Sequence, residues 1–219
     1  MIARAGHYEP VAREGYPYII PPALCAVAFW WFNYSWLALL FLILGVAVAL
    51  FFRNPKRSPP QGPDHAVLAP ADGKVIEIVR DARSDNLSQF PLQRLSIFMS
   101  IFDVHVNRSP VSGTVSKITY RPGTFLDARE DAASFENEHN SLVIEGDDGV
   151  LEVVQIAGKV ARRICCWVGE GDRVRRGERI GLIQFGSRLD VYVPEEFSFR
   201  VEVGTRVSAG RTVIAAKNP

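Results

Sequence analysis

The chain has 219 residues, 25 Lys and Arg against 24 Asp and Glu, a formal net charge of +1 and 47% hydrophobic residues. Such a length supplies one ordinary domain with an appendage. The balanced charge argues against a general nucleic-acid binder, whose basic residues would cluster in excess. In chain order, a segment over 1–16 carries His7 and is followed by a run over 17–52 without one charged residue. About 20 apolar residues cross a bilayer, so this run is long for one span and short for two. Its polar break, Asn33-Tyr34-Ser35, falls near the middle. The pattern predicts a helical membrane anchor. It is either a hairpin with the break at its tip, the preferred reading, or a single span over 36–52 behind an interfacial Pro- and Trp-rich segment. The run is too long for a cleaved signal peptide, and no small-residue cleavage site follows it. Arg53, Lys56 and Arg57 at its exit place the rest of the chain on the cytoplasmic face of the cell membrane.

"SPPQGPD" over 58–64 is a linker. Beyond it, short alternating runs dominate, and strands are expected over 66–68, 73–79, 95–99, 113–120, 141–145, 150–157, 163–167, 179–184, 189–193, 200–203 and 213–216. Turn signals such as "ADG", "GDDG" and "RRGE" separate them. The stretch "LDAREDAASFENE" over 126–138 reads as a loop with a helical turn or two. The expected fold is therefore mainly β, a small barrel or sandwich behind the helical anchor. "APADGKVIEI", "GEGDRVRRGERIGLI" and, more loosely, "SPVSGTVSKI" share the rhythm of lipoyl-like, barrel-sandwich domains. The attachment lysine of such carriers sits in a Met-Lys-Met or Asp-Lys-Ala turn, and neither occurs here. Phe90-Pro91-Leu92 and Trp167 are either core residues or apolar groups that touch the membrane.

Four histidines are available: His7, His65 in the linker, His105 and His139. No pair has metal-ligand spacing. Cys25 lies in the apolar run, and Cys165-Cys166 are adjacent, which suits neither a metal site nor a disulfide framework. No metal is expected. Asp72 in "PADG" is an ordinary turn residue on local grounds. The stretch "IGLIQFGSRLDVYVP" over 180–194 alternates like a strand on both sides of Gly186-Ser187. Locally this break is a bulge or tight turn. The alternative is that the Gly-Ser bond is itself the functional object.

Taken in order, "FRNPKRSPP", "PADGKV", "SIFDVHVNRSP", "ENEHNSLV", "QIAGKVARRI" and "GDRVRRGERIGLIQFGSRLDVYVP" resemble the short bacterial form of phosphatidylserine decarboxylase across 53–193. The resemblance implies a precursor that cleaves itself between Gly186 and Ser187. The Ser187 hydroxyl attacks the Gly186 carbonyl, an ester forms, and elimination leaves a pyruvoyl group in place of Ser187. The catalytic β domain over 53–219 would then comprise a β chain, 1–186, and an α chain, 187–219, held as a heterodimer. The oligomeric state beyond that is left open. The pyruvoyl cofactor would form a Schiff base with the serine amine of membrane phosphatidylserine, CO2 would leave, and phosphatidylethanolamine would result. An ether-linked lipid with the same head group would react alike.

The resemblance also implies an Asp-His-Ser relay for self-cleavage. Asp72 and Ser187 match two of its members. The relay histidine is the second of a His-x-x-His pair. The first position is His105 and the second is Arg108, whose guanidinium does not act as a base. Three sources of the base stay open: His105 oriented by Asp72, His139 reaching in from its polar loop, or strain at Gly186 with a weaker base. His105 is also the expected proton donor and acceptor in decarboxylation. Arg108 is either a contact to a phosphate or carboxylate or a surface turn residue. Two rival functions remain, a membrane-anchored lipoyl-like domain that binds or scaffolds without catalysis, and a serine hydrolase. The hydrolase lacks a Gly-x-Ser-x-Gly elbow.

Overall fold

The computed structural model describes residues 9–61, 66–130, 133–159, 163–184 and 186–217. His7 and His65 lie outside them. The chain divides into two compact units, Met1–Lys56 and Arg57–Pro219.

In the first unit, α1 (Tyr16–Trp31) and α2 (Ser35–Phe51) form an antiparallel hairpin. The polar break lies at its tip, where Asn33 takes a left-handed φ of 62°. Phe29 stacks on Phe41 between the helices, with ring centroids 5.4 Å apart. The open end is closed by the Val11–Arg53 bridge and by Ala12 N donating to Phe52 O at 2.9 Å. The helices have 16 and 17 residues, about 24 and 26 Å at 1.5 Å per residue. No helix among the described residues is long and apolar enough to cross a membrane.

The second unit is mainly β. Its elements are β1 (Ala66–Leu68), β2 (Gly73–Ala82), β3 (Leu92–Met99), β4 (Val106–Arg108), β5 (Gly113–Arg121), α3 (Ala133–Glu136), β6 (His139–Gly146), β7 (Gly149–Ala157), β8 (Ile164–Cys166), β9 (Arg173–Val174), β10 (Arg179–Ile183), β11 (Ser187–Pro194), β12 (Phe197–Phe199), β13 (Arg206–Val207) and β14 (Val213–Lys217). A curled eight-stranded antiparallel sheet runs β13-β2-β3-β11-β7-β6-β5-β9. Two three-stranded sheets, β1-β14-β12 and β4-β10-β8, pack on its inner face. Between them lies one apolar core that includes Val75, Ile97, Leu142, Val153, Ile183, Leu189, Val191 and Ile214. Period-two alternation explains this, because every second residue of β3, β7 and β11 faces the core.

Several elements depart from expectation. Residues 200–203 form no strand, and the pairing strand there is β12, earlier in the chain. The short strands β4, β9 and β13 were not expected, since two or three residues carry no readable period. Within 126–138 the expected helical turn is α3, and Asn137 accepts from Leu126 N at 2.8 Å and donates to Leu126 O at 3.0 Å. Of the group read as either core or membrane-touching, Leu92 and Trp167 are buried and belong to the interior, whereas Phe90 and Pro91 are exposed. Cys165 and Cys166 sit half-buried on β8, with Cys166 packed against the core.

Candidate active site

The site lies where the chain leaves one sheet for another. β10 belongs to the small sheet with β4 and β8, and β11 to the centre of the large sheet, between β3 and β7. The crossing needs a sharp turn, and Gly186 supplies it with φ 69°, a left-handed conformation that costs other residues strain. A Cβ on Gly186 would meet nothing within 4 Å, so conformation rather than space requires the glycine.

Ser187 is the first residue of β11, opposite Met99 on β3 and Ala157 on β7. It is 0% exposed, and its Oγ is buried without a hydrogen-bond partner among the described residues. A buried hydroxyl is ordinarily paired, because leaving it unpaired costs about 1–3 kcal/mol.

His105, also fully buried, stands just before β4. The Gly186 N–H donates to its Nε2 at 3.3 Å, and its Nδ1 lies 3.0 Å from the Asp103 carbonyl oxygen. An acceptor role at Nε2 and a carbonyl at Nδ1 together assign the neutral tautomer with the proton on Nδ1. Asp103 is itself held, accepting from Ser100 N at 2.8 Å, Ser100 Oγ at 2.7 Å and Arg206 Nη1 at 3.1 Å. The residue that orients His105 is therefore Asp103, through its backbone. Asp72, which the sequence paired with His105, is engaged elsewhere. Its carboxylate accepts from both Arg57 Nη atoms, Nη2 at 2.7 Å, and from Ala209 N at 2.7 Å.

Arg108 is not a surface turn residue. It is 3% exposed, and its Nη1 donates to Gly177 O at 2.8 Å. Burial, then Arg179 and Arg57, push its guanidinium down to about 10, so it stays charged at neutral pH. His139 opens β6 opposite Ile156, and Ile156 lies opposite Arg188. Cross-strand partners share a face, so His139 and Ser187 are on opposite faces of the sheet. Its Nδ1 lies 2.8 Å from Asn137 O. The structure thus gathers Gly186, Ser187 and His105, sets Asp72 and Arg108 together around Arg57, and leaves His139 apart.

Three features were not read from sequence. Gly158, directly after β7, approaches the Gly186 carbonyl. Arg188 is wholly buried, donating from Nε to Asp190 Oδ1 at 2.7 Å and from Nη2 to Glu77 Oε2 at 2.9 Å and Ser96 Oγ at 2.7 Å. On the face that Ser187 shares, Gln155 bridges Asn107 at 2.9 Å and Asn140 at 3.0 Å, and Asn107 Nδ2 meets Met99 Sδ at 3.6 Å. Only the glycine had a signal, its place inside "QIAGKV". Among the described residues no group of His, Cys, Asp and Glu could hold a metal ion.

A serine with no solvent exposure cannot meet an external substrate, but it adjoins its own backbone carbonyl at a left-handed glycine. This geometry fits the class of serines that react with their own chain, and a prosthetic group made from Ser187 needs no separate binding cradle. Residues 44–215 match the sequence model described as Phosphatidylserine decarboxylase. The chain is 48% identical over 208 residues to the phosphatidylserine decarboxylase proenzyme of Syntrophus aciditrophicus, covering 94% of this chain and 97% of that one. It is 47% identical over 206 residues to the proenzyme of that name from Geotalea uraniireducens, with 94% and 95% covered. Against that of Geobacter sulfurreducens the identity is 48% over 211 residues, with the same coverage. The chain belongs to the phosphatidylserine decarboxylase family.

Proposed function

We infer that this chain is the proenzyme of a pyruvoyl-dependent lyase of phospholipid biosynthesis that converts phosphatidylserine to phosphatidylethanolamine and CO2. The observation that carries the reading is the unpartnered, buried Ser187 Oγ beside a left-handed Gly186. Ser187 is the nucleophile of self-cleavage and the source of the pyruvoyl group. Gly186 supplies the carbonyl that is attacked. His105, oriented at Nδ1 by the Asp103 carbonyl, has at Nε2 the lone pair that takes the Ser187 proton once the Gly186 N–H releases it. The same ring handles the proton in decarboxylation. Asp72 supports this arrangement indirectly, by tying Arg57 and the Ala209 amide to the turn before β2. Cleavage yields chains over 1–186 and 187–219, which remain together because β11 is paired on both sides. When formed, the pyruvoyl group supplies an electron sink for the charge left by departing CO2.

The hairpin is the membrane attachment in this reading. Leu24, Val27, Trp30, Trp31, Phe32, Leu39 and Ile43 are exposed on it, and no charge interrupts 17–52. A helix apolar all round needs lipid or protein around it. Its helices are shorter than the roughly 30 Å hydrocarbon core, so the hairpin dips into the bilayer and returns. Arg53, Lys56 and Arg57 put the second unit on the cytoplasmic side.

Intact mass measurement of the purified full chain tests the reading. Two chains divided at 186/187 are expected, with an α chain that resists Edman degradation and CO2 release from phosphatidylserine. Ser187→Ala gives one chain and no CO2. An active wild-type protein that remains a single chain refutes it.

A further inference from the structure

We propose that Gly158 is a positioning residue for self-cleavage: its missing side chain is the space that the Gly186 carbonyl oxygen occupies, and needs again when that oxygen becomes tetrahedral. The proposal rests on Gly186–Ser187 being the cleaved bond.

Ala157, the last residue of β7, lies directly opposite Ser187, so Gly158 comes opposite Gly186 as the ladder ends. A Cβ built on Gly158 would lie 2.6 Å from Gly186 O, 3.4 Å from Gly186 C and 3.2 Å from the Ala128 Cβ. The first contact is too short to exist, so one partner must move. None is free to do so cheaply. Gly186 is fixed by its left-handed φ and by the bond from its N–H to His105. Ala157 donates to Glu138 O at 2.9 Å and accepts from Asn137 Nδ2 at 2.8 Å. Ala128 is buried two residues beyond Leu126, which Asn137 also holds.

Close approach alone is not distinctive. A Cβ at Gly113 or Gly181 would also meet a carbonyl, of Glu145 or Cys165, at 2.4 Å. What distinguishes Gly158 is the identity of the carbonyl it faces. The two glycines of the site are complementary. Gly186 has open space but a left-handed backbone, whereas Gly158 has no left-handed φ and lacks only space. An alanine at 158 is therefore acceptable to its own backbone and in conflict only with its neighbours.

The step concerned balances without any co-reactant. Ser187 Oγ gives its proton to His105 Nε2 and bonds to Gly186 C. The C–N bond to Ser187 breaks, and the released amine takes the proton, so an amide becomes an ester. During attack the carbonyl carbon turns tetrahedral and its oxygen gathers negative charge, which a neighbouring methyl group would crowd and shield from donors. Displacing the carbonyl to avoid that methyl misaligns it with Oγ, and misplacement by about 1 Å costs on the order of a hundredfold.

The test follows cleavage of the full chain by intact mass over time, in wild type, Gly158→Ala, Gly158→Ala/Ala128→Gly and Ser187→Ala. Gly158→Ala should cleave about a hundredfold more slowly. Hydroxylamine, which opens esters but not amides, should release no 187–219 fragment from it, placing the block before ester formation. A defect of general structure would not select that step. In the Ser187→Ala background, the melting temperature with Gly158→Ala reports folding. If that variant folds poorly, the double variant relieves the Ala128 contact and keeps the carbonyl conflict, and it should fold and remain uncleaved. Cleavage of either Gly158 variant at the wild-type rate, or ester accumulation as in wild type, overturns the proposal. Cutting of Ser187→Ala at the same bond would instead overturn the cleavage reading on which it rests.

Discussion

Arg188→Met should destabilise the second unit more than any other single change at the α-chain terminus. Its guanidinium spans three neighbouring strands, meeting Asp190 on β11, Ser96 on β3 and Glu77 on β2. Arg188 and Asp190 side chains are 0% and 1% exposed. Removing one member of a buried pair leaves the other charge uncompensated, at about 3–5 kcal/mol. Two facts place the effect near the lower end. Arg94 Nε remains 3.9 Å from Asp190 Oδ2, and the Arg188 Nη1 is already buried without a partner, so the wild type carries part of the penalty. About 3 kcal/mol is expected. The assay is urea unfolding of the full chain in detergent, followed by circular dichroism, in a Ser187→Ala background that keeps one chain. With a slope of about 2 kcal/mol/M, the midpoint falls by about 1.5 M. Arg188→Met/Asp190→Leu removes both charges and should recover most of the loss. A loss below about 1 kcal/mol in the single variant, or a double variant as unstable as the sum of the two, would refute the reasoning. In the proposed processing residue 187 becomes a chain end, and the Arg188 contacts would help β11 pairing to hold it in place.

His105→Ala should slow chain cleavage by about 10²–10⁴-fold, while His139→Ala, on the other face of the sheet, leaves the rate within about twofold of wild type; equal rates for all three proteins would remove His105 from the mechanism. Asp72→Asn should lower stability by about 2–3 kcal/mol, read by thermal unfolding, without moving the pH midpoint of cleavage. A displaced midpoint would show that Asp72 shares the proton. Asp127 is held at about 2 by hydrogen bonds from Arg129, below its ordinary 3.8. Because the folded carboxyl is depressed, its contribution to stability is present above about pH 4 and fades as pH falls toward 2. Arg129→Ala should return the Asp127 titration, followed by carboxyl NMR, toward its ordinary value.

Local chemistry alone marked the polar tip of the apolar hairpin, the alternating runs that became most of the longer strands, and the glycine-serine break between β10 and β11. Each of these depends on neighbours within a few residues, so sequence order carries it. The ordered motifs then pointed to Ser187 and Gly186. What they could not supply was pairing. Arg57 read as a topology signal next to the membrane run, and only the folded chain brings it to Asp72, fifteen positions away. The orienting group of His105 proved to be a backbone carbonyl two residues upstream, invisible to any side-chain motif. Parity sets His139 apart from Ser187, since the registers β6–β7 and β7–β11 put the two on opposite faces of the sheet. A shift of one residue in either register would reverse that result. Gly158 faces Gly186 through the same ladder. Residue identities at the reacting bond were thus local information, whereas burial, partners and faces came from strand pairing across long separations, which only the tertiary structure decides.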